Sequence, residues 1–357
     1  MKNKMLTKIL VSLFTAVVFS SITCAQVSGN GNVVKEDRTV PAFTGLDVED
    51  GIDVILSQGS SQSLTLEADE NLLGHIKTEV TGGKLKIYLE KNVWNRKTLK
   101  AYVTVTELSS LSVSGGGDVS STEVISVSDL KIDISGGGDL NFSTKGNSIK
   151  IEISGGGDAD MEVEAKSMKY SLSGGGDLSL SLTGDELEGS ISGGGDAVIS
   201  LGNNLDIFSL EISGGGDLDL NGIAGDINVS ISGGGDAEID AKGGDARSIK
   251  LGVSGGGDIE LSANTNELKL TVSGGGNAEL TGSAGTMDAT CKSGGDLYAD
   301  DFKVENANVT LTGGSAARVY VTGELVVNAS GGGDVNVSGN PHIKEGNLSG
   351  GSKIHTR

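Results

Sequence analysis

Cysteine, proline, histidine and aromatic residues are nearly missing from this chain. Its 357 residues hold two cysteines, two prolines, three histidines and one tryptophan, and only 3% are aromatic. Two cysteines, Cys24 and Cys291, cannot make a disulfide framework. The histidines, His75, His342 and His355, lie far apart in sequence and form no Ser-His-Asp or paired metal-ligand spacing, so they read as surface or cap residues. Trp94 is the one tryptophan that could stack on a sugar. With so few bulky side chains, any interior is filled by aliphatic residues.

Basic charge is scarce as well. Against 48 acidic residues stand 27 lysines and arginines, a formal net charge of −21. That balance excludes nucleic acid as a partner and argues against direct binding to an anionic membrane, because both would repel it.

Glycine is abundant, with 58 residues, and it is not scattered. The pentapeptide SGGGD occurs nine times unchanged, starting at Ser114, Ser135, Ser154, Ser173, Ser192, Ser213, Ser232, Ser254 and Ser330. Altered copies end at Asn277, Asp296, Ala316 and Lys353, and the spacing between fifth positions stays between 18 and 22 residues. A period this constant marks one structural unit copied many times.

Between the glycine turns, apolar and polar residues alternate with period 2, as in strands with one buried face. Leu140 and Phe142 are followed by a polar break and then Ile149, Ile151 and Ile153; Met161 and Val163 are followed by Met168, Tyr170 and Leu172. Identical units in identical phase bury their apolar rows best by stacking in register. The pattern predicts an all-β fold: a single right-handed parallel β-helix, or β-solenoid, of about 19–20 residues per coil. One short helical turn is expected near Asn71 to Ile76.

The glycines of the pentapeptide suit a sharp corner that must superpose from coil to coil. Its Ser and Asp suit bonding to turn N–H groups. Stacking would also bring the carboxylates of Asp118, Asp139, Asp158, Asp177, Asp196, Asp217, Asp236, Asp258, Asp296 and Asp334 into one column, roughly 5 Å apart. Turn hydrogen bonds or bound cations must offset their repulsion. Calcium is the one cofactor this column admits, although Asn277, Ala316 and Lys353 interrupt it; no cofactor is required. No catalytic residue is expected.

Residues 1–25 read as a secretory signal peptide, with Lys2, Lys4 and Lys8 before an apolar run from Ile9 to Phe19. Cleavage after Ala25 would leave Gln26 first and a net charge of −24, three lysines having gone. Lipidation of Cys24 is the alternative, but Ser21-Ile22-Thr23 is a poor lipoprotein box. Export to the periplasm or the cell surface follows. Cys291, ending the "MDATC" alternation, is expected to be a small core residue.

Residues 26–110 break the period. They are expected to cap the coils of 111–357, with Trp94 packed against the first of them, while Pro341 and the basic "HTR" tail guard the other end. Here the chain resembles the head GIN domain of the auto-transporter adhesin family of Bacteroidetes, in Phe43, Gly45, Gly51-Ile52-Asp53, Gln58-Gly59, Glu67, Asn71-Leu72-Leu73 and Gly83. Asp53 stands where that family has Asn, and the family carries S-G-S-G-D turns where this chain has SGGGD. The resemblance implies a β-helix and adhesion. A segment resembling a translocator barrel is not seen. The expected role is an exported, non-catalytic adhesin-like binding or scaffold protein, a monomer, whose partner is an envelope protein or a glycan. The rival readings are a lyase-like polysaccharide enzyme and a calcium-binding structural repeat protein.

Overall fold

Each coil is written by one long alternating segment that bends in its middle. In Leu140–Gly155 the side chains of Leu140, Phe142, Thr144, Ile149, Ile151 and Ile153 are buried, and those between them are exposed or half-buried. The next segment, Ala159–Leu172, lies parallel to it, from Leu140 beside Ala159 to Ile153 beside Leu172. The same pairing then carries on to Leu178–Ile191 and beyond. The computed structural model describes residues 27–202 and 205–357. The leader, its cleavage point and Cys24 lie outside the described residues.

From residue 110 onward the coils pair in parallel throughout, and the result is a β-solenoid of about 13 turns. One inward column alternates large and small over ten coils: Leu140, Ala159, Leu178, Ala197, Leu218, Ala237, Ile259, Ala278, Leu297 and Ala317. All ten are buried, and the alternation lets a thin core fill without voids. Each buried Leu or Ile contributes about 1.5–3 kcal/mol. Cys291 sits in another such column, between Val272 and Leu311, and is fully buried.

The irregular N-terminal region is threaded in a way its sequence hides. Gly45–Val48 and Asp53–Gln58 stack in parallel on Ser110–Gly115 and Val119–Ser121. The first rung is thus laid down before the period becomes visible. Beyond it lie Lys84–Leu89 and Leu99–Val105, still parallel. Antiparallel strands then complete this end: Ile76–Thr81 on the first, and Ser63–Asp69 followed by Val33–Arg38 on the second. The outermost strands, IKTEVT and VVKEDR, carry charges that discourage edge-to-edge pairing. The one helix among the described residues is a 3-10 turn, Leu73–His75, inside the expected stretch.

Trp94 departs from expectation. It is 66% exposed and not packed against the coils. Val93–Trp94 pairs with Val27–Ser28 in a two-stranded ribbon, and alternation turns Val93 toward the core and Trp94 away from it. At the opposite end, His342–Leu348 and Lys353–Thr356 form the last rung, and no strand among the described residues pairs beyond them.

Candidate functional site

The stacked turns bring the pentapeptide aspartates into one ladder, held by the backbone. Oδ1 of Asp118 accepts the N–H of Asp139 at 3.1 Å, Asp139 that of Asp158 at 3.0 Å, and Asp158 that of Asp177 at 2.9 Å. Asp177, Asp196, Asp217 and Asp236 continue it in the same way to Asp258. Asp258 then takes the N–H of Asn277, and after the interruption Asp296 takes that of Ala316 at 2.7 Å. The ladder begins one coil before the first SGGGD, at Asp53, whose Oδ1 accepts the N–H of Asp118 at 3.2 Å. An asparagine there would present the same acceptor, so the exchange of Asn for Asp at this place preserves the contact. Asp334 lies apart from this bonding and faces the last rung, with His355 at 3.9 Å.

The glycines divide by position. In the copies between Gly136 and Gly257, a Cβ on the first or third would come within about 2 Å of a backbone oxygen in the previous coil, as for Gly155 against Gly136 and Gly157 against Gly138. The middle one, such as Gly156, meets nothing within 4 Å. Its N–H instead bonds back to the carbonyl of the first glycine one coil earlier, Gly156 to Gly136 at 2.9 Å. A serine at the middle place therefore fits the same turn.

Beside the ladder runs a second outward column, in the order Asn141, Asp160, Ser179, Val198, Asp219, Glu238, Glu260, Glu279 and Tyr298. A shallow groove of about 500 Å³ follows both columns from Asp118 to Asp177. A second, of about 370 Å³, is lined by Asp236, Glu238, Asp258, Glu260, Glu279 and Tyr298. Over the coils from Asp217 to Glu279 this face carries only acids among its charged residues. The other long side of the coil differs: there Lys131 contacts Asp133 and Glu152, and Lys150 contacts Glu152. Hydrogen bonds from Lys150 and Lys131 hold the Glu152 carboxyl down to about 2.

Groups of three or more His, Cys, Asp or Glu side chains arranged to hold a metal ion are absent among the described residues. The ladder carboxylates spend one oxygen each on a backbone N–H, which offsets the repulsion that stacking creates. His342 and His355 lie on separate strands of the last rung, beside Glu324 and Asn336, and His75 closes the 3-10 turn at the other end. Cys291, its thiol pushed up to about 12 by burial, is no nucleophile.

These features define a class: a stacked-turn β-solenoid whose regular outer columns form extended faces. The chain belongs to the family described as "Putative auto-transporter adhesin, head GIN domain", whose model matches residues 42–207, 159–244, 180–263 and 236–341. Among solved structures it is similar to a "putative adhesin" from Bacteroides fragilis NCTC 9343, at 20% identity, 71% of this chain, 99% of that one and a TM-score of 0.41. It is also similar to a "putative lipid binding protein" from Parabacteroides distasonis ATCC 8503, at 17% identity, 93% and 100% coverage and a TM-score of 0.34. A "putative adhesin" from Parabacteroides merdae ATCC 43184 shows 16% identity, 93% and 99% coverage and a TM-score of 0.30. No curated protein matches the chain.

Proposed function

We propose that this is an exported, non-catalytic adhesin-like protein of the bacterial envelope that binds its partner along a repeated face. The observation that carries the reading is the in-register acidic double column, ladder plus Asp219, Glu238, Glu260 and Glu279, running over successive coils. Such a face grows by adding coils and engages a partner through many weak contacts in place of one pocket. Its charge favours a partner presenting basic groups, an envelope protein or an amino-bearing glycan, and disfavours nucleic acid. Family membership supports an exported or surface location. Residues 26–110 serve as the cap of residues 111–357, and the rod works as a monomer. In this reading the turns hold without calcium, which is supported by the backbone N–H that bonds one oxygen of each carboxylate from Asp118 to Asp258.

The test is a binding screen against envelope proteins and glycans, with and without calcium, beside a polysaccharide-cleavage assay. Salt-sensitive binding that is lost on changing Asp219, Glu238, Glu260 and Glu279 to their amides supports the reading. Turnover of any glycan that survives repurification would overturn it, and melting that depends on calcium would make the ladder an ion column.

A further inference from the structure

The Trp94 ribbon lies outside the face just described. Its tryptophan is the only one in the chain, and it is 66% exposed on an ordered element. The N–H of Val27 bonds to the carbonyl of Asn92 at 3.0 Å and that of Gly29 to Trp94 at 3.1 Å. Val27 and Val93 pack against the core, so the ribbon is fixed and the indole is held outward. Arg96 ties the following turn to the first rung by donating to the carbonyl of Gly51 at 2.9 Å. Lys91, Arg96 and Lys97 are exposed around the indole, and the segment's one acid, Glu90, is already bound by Lys77 at 3.3 Å. The ribbon stretch from Glu90 to Lys97 thus carries three basic residues and one acid, while Asp50 and Asp69 behind it accept the N–H groups of Leu89 and Lys97.

We infer that the ribbon of Trp94, with Lys91, Arg96 and Lys97, is a bilayer-contact site that seats this end of the rod on a lipid surface. An amphipathic ring flanked by cations is the chemistry of the membrane–water boundary. The chain outside the structure ends here too: residues 1–26, which contain the apolar run Ile9 to Phe19 and Cys24, join the fold at Val27, beside Trp94. Stable attachment takes two signals: on the chain cleaved after Ala25 the indole-and-cation contact is one weak, reversible signal, and where Cys24 is kept and lipidated it becomes the second. A sugar platform is the other use of an exposed indole, but lysines and arginine are not its usual surround. This inference is independent of the acidic-face reading.

The single tryptophan makes the test direct. The secreted chain starting at Gln26 is titrated with vesicles of phosphatidylcholine, with vesicles containing added phosphatidylglycerol, and with soluble polysaccharides. The expected result is a blue shift of tryptophan emission and protection from acrylamide with vesicles, not with polysaccharides. Trp94→Ser should weaken vesicle co-sedimentation, and Lys91→Gln with Lys97→Gln should weaken it about fivefold per charge on the anionic vesicles. Melting temperatures of the variants are checked so that unfolding is not mistaken for lost contact. Unchanged emission with both vesicle types, a shift with polysaccharide alone, or equal sedimentation of Trp94→Ser would each overturn the inference. None of these results bears on partner binding by the acidic columns.

Discussion

A Cβ placed on Gly157 would sit 2.0 Å from the carbonyl oxygen of Gly138, the matching residue one coil earlier. Its neighbour Gly156 has open space where a Cβ would go and no left-handed φ. Gly157→Ala should therefore destabilise by about 1–3 kcal/mol through forced separation of two coils. Gly156→Ala should be neutral or stabilise by about 0.4–1 kcal/mol, by restricting the unfolded chain. Denaturant midpoints of the two single variants decide the matter, and equal effects would show that the turns do not stack this closely.

Asp158 accepts the N–H of Asp177, so acceptor and charge can be separated. Asp158→Ala should cost about 0.5–1.5 kcal/mol for the lost bond. Asp158→Asn keeps Oδ1 and removes one member of a like-charged column, so its melting temperature should equal or exceed that of the parent.

The hydroxyl of Tyr170 is buried with no hydrogen-bond partner, and burial pushes its pKa up. The ring fills the space beside Gly189, where a Cβ would come 2.2 Å from it. Tyr170→Phe should raise stability by about 1 kcal/mol, since an unsatisfied polar group leaves the core. Gly189→Ala should lower it. Calorimetry of both variants reads the two signs.

Asp69 is buried, which raises its pKa, but N–H groups of Lys97, Gly31 and Thr98 more than offset this and hold it below the usual carboxylate value. A depressed folded pKa contributes stability above the unfolded value near 4, lost as pH falls through the folded value. Melting temperatures taken downward from pH 5 should therefore fall more steeply in the parent than in Asp69→Asn. Because Asp69 binds Gly31 and Lys97 on either side of the ribbon, tryptophan emission should change in the same pH window.

Cys291 lies in an aliphatic column with its thiol pushed up to about 12. A thiol reagent should label it only as fast as the solenoid opens. Labelling of the native chain at the rate of a free thiol would contradict its place in the core.

The coils were legible in the sequence because solenoid stacking repeats the same physical demand at every turn, so burial, corner geometry and capping all recur with the period. The ladder was half legible: the Asp positions stand out, but the backbone N–H donors they accept from appear only once the coils are stacked. The first rung was hidden because Gly45–Val48 and Asp53–Gln58 join the solenoid before a long excursion through residues 59–109, and no local pattern records that return. In the sequence Asp53 stands out only as a departure from the family's Asn. Trp94 misled because a large apolar residue suggests burial, whereas the strand phase set by Val93 and Val27 decides which way it faces.

The large–small column gives the rod a parity. Removing residues 159–177 would place Leu140 directly on Leu178, crowding two large side chains where the core has room for one large and one small. Removing residues 159–196 would place Leu140 on Ala197 and leave the sequence of sizes intact. The packing thus tolerates gain or loss of coils most readily in couples, although the unit visible to the eye is one.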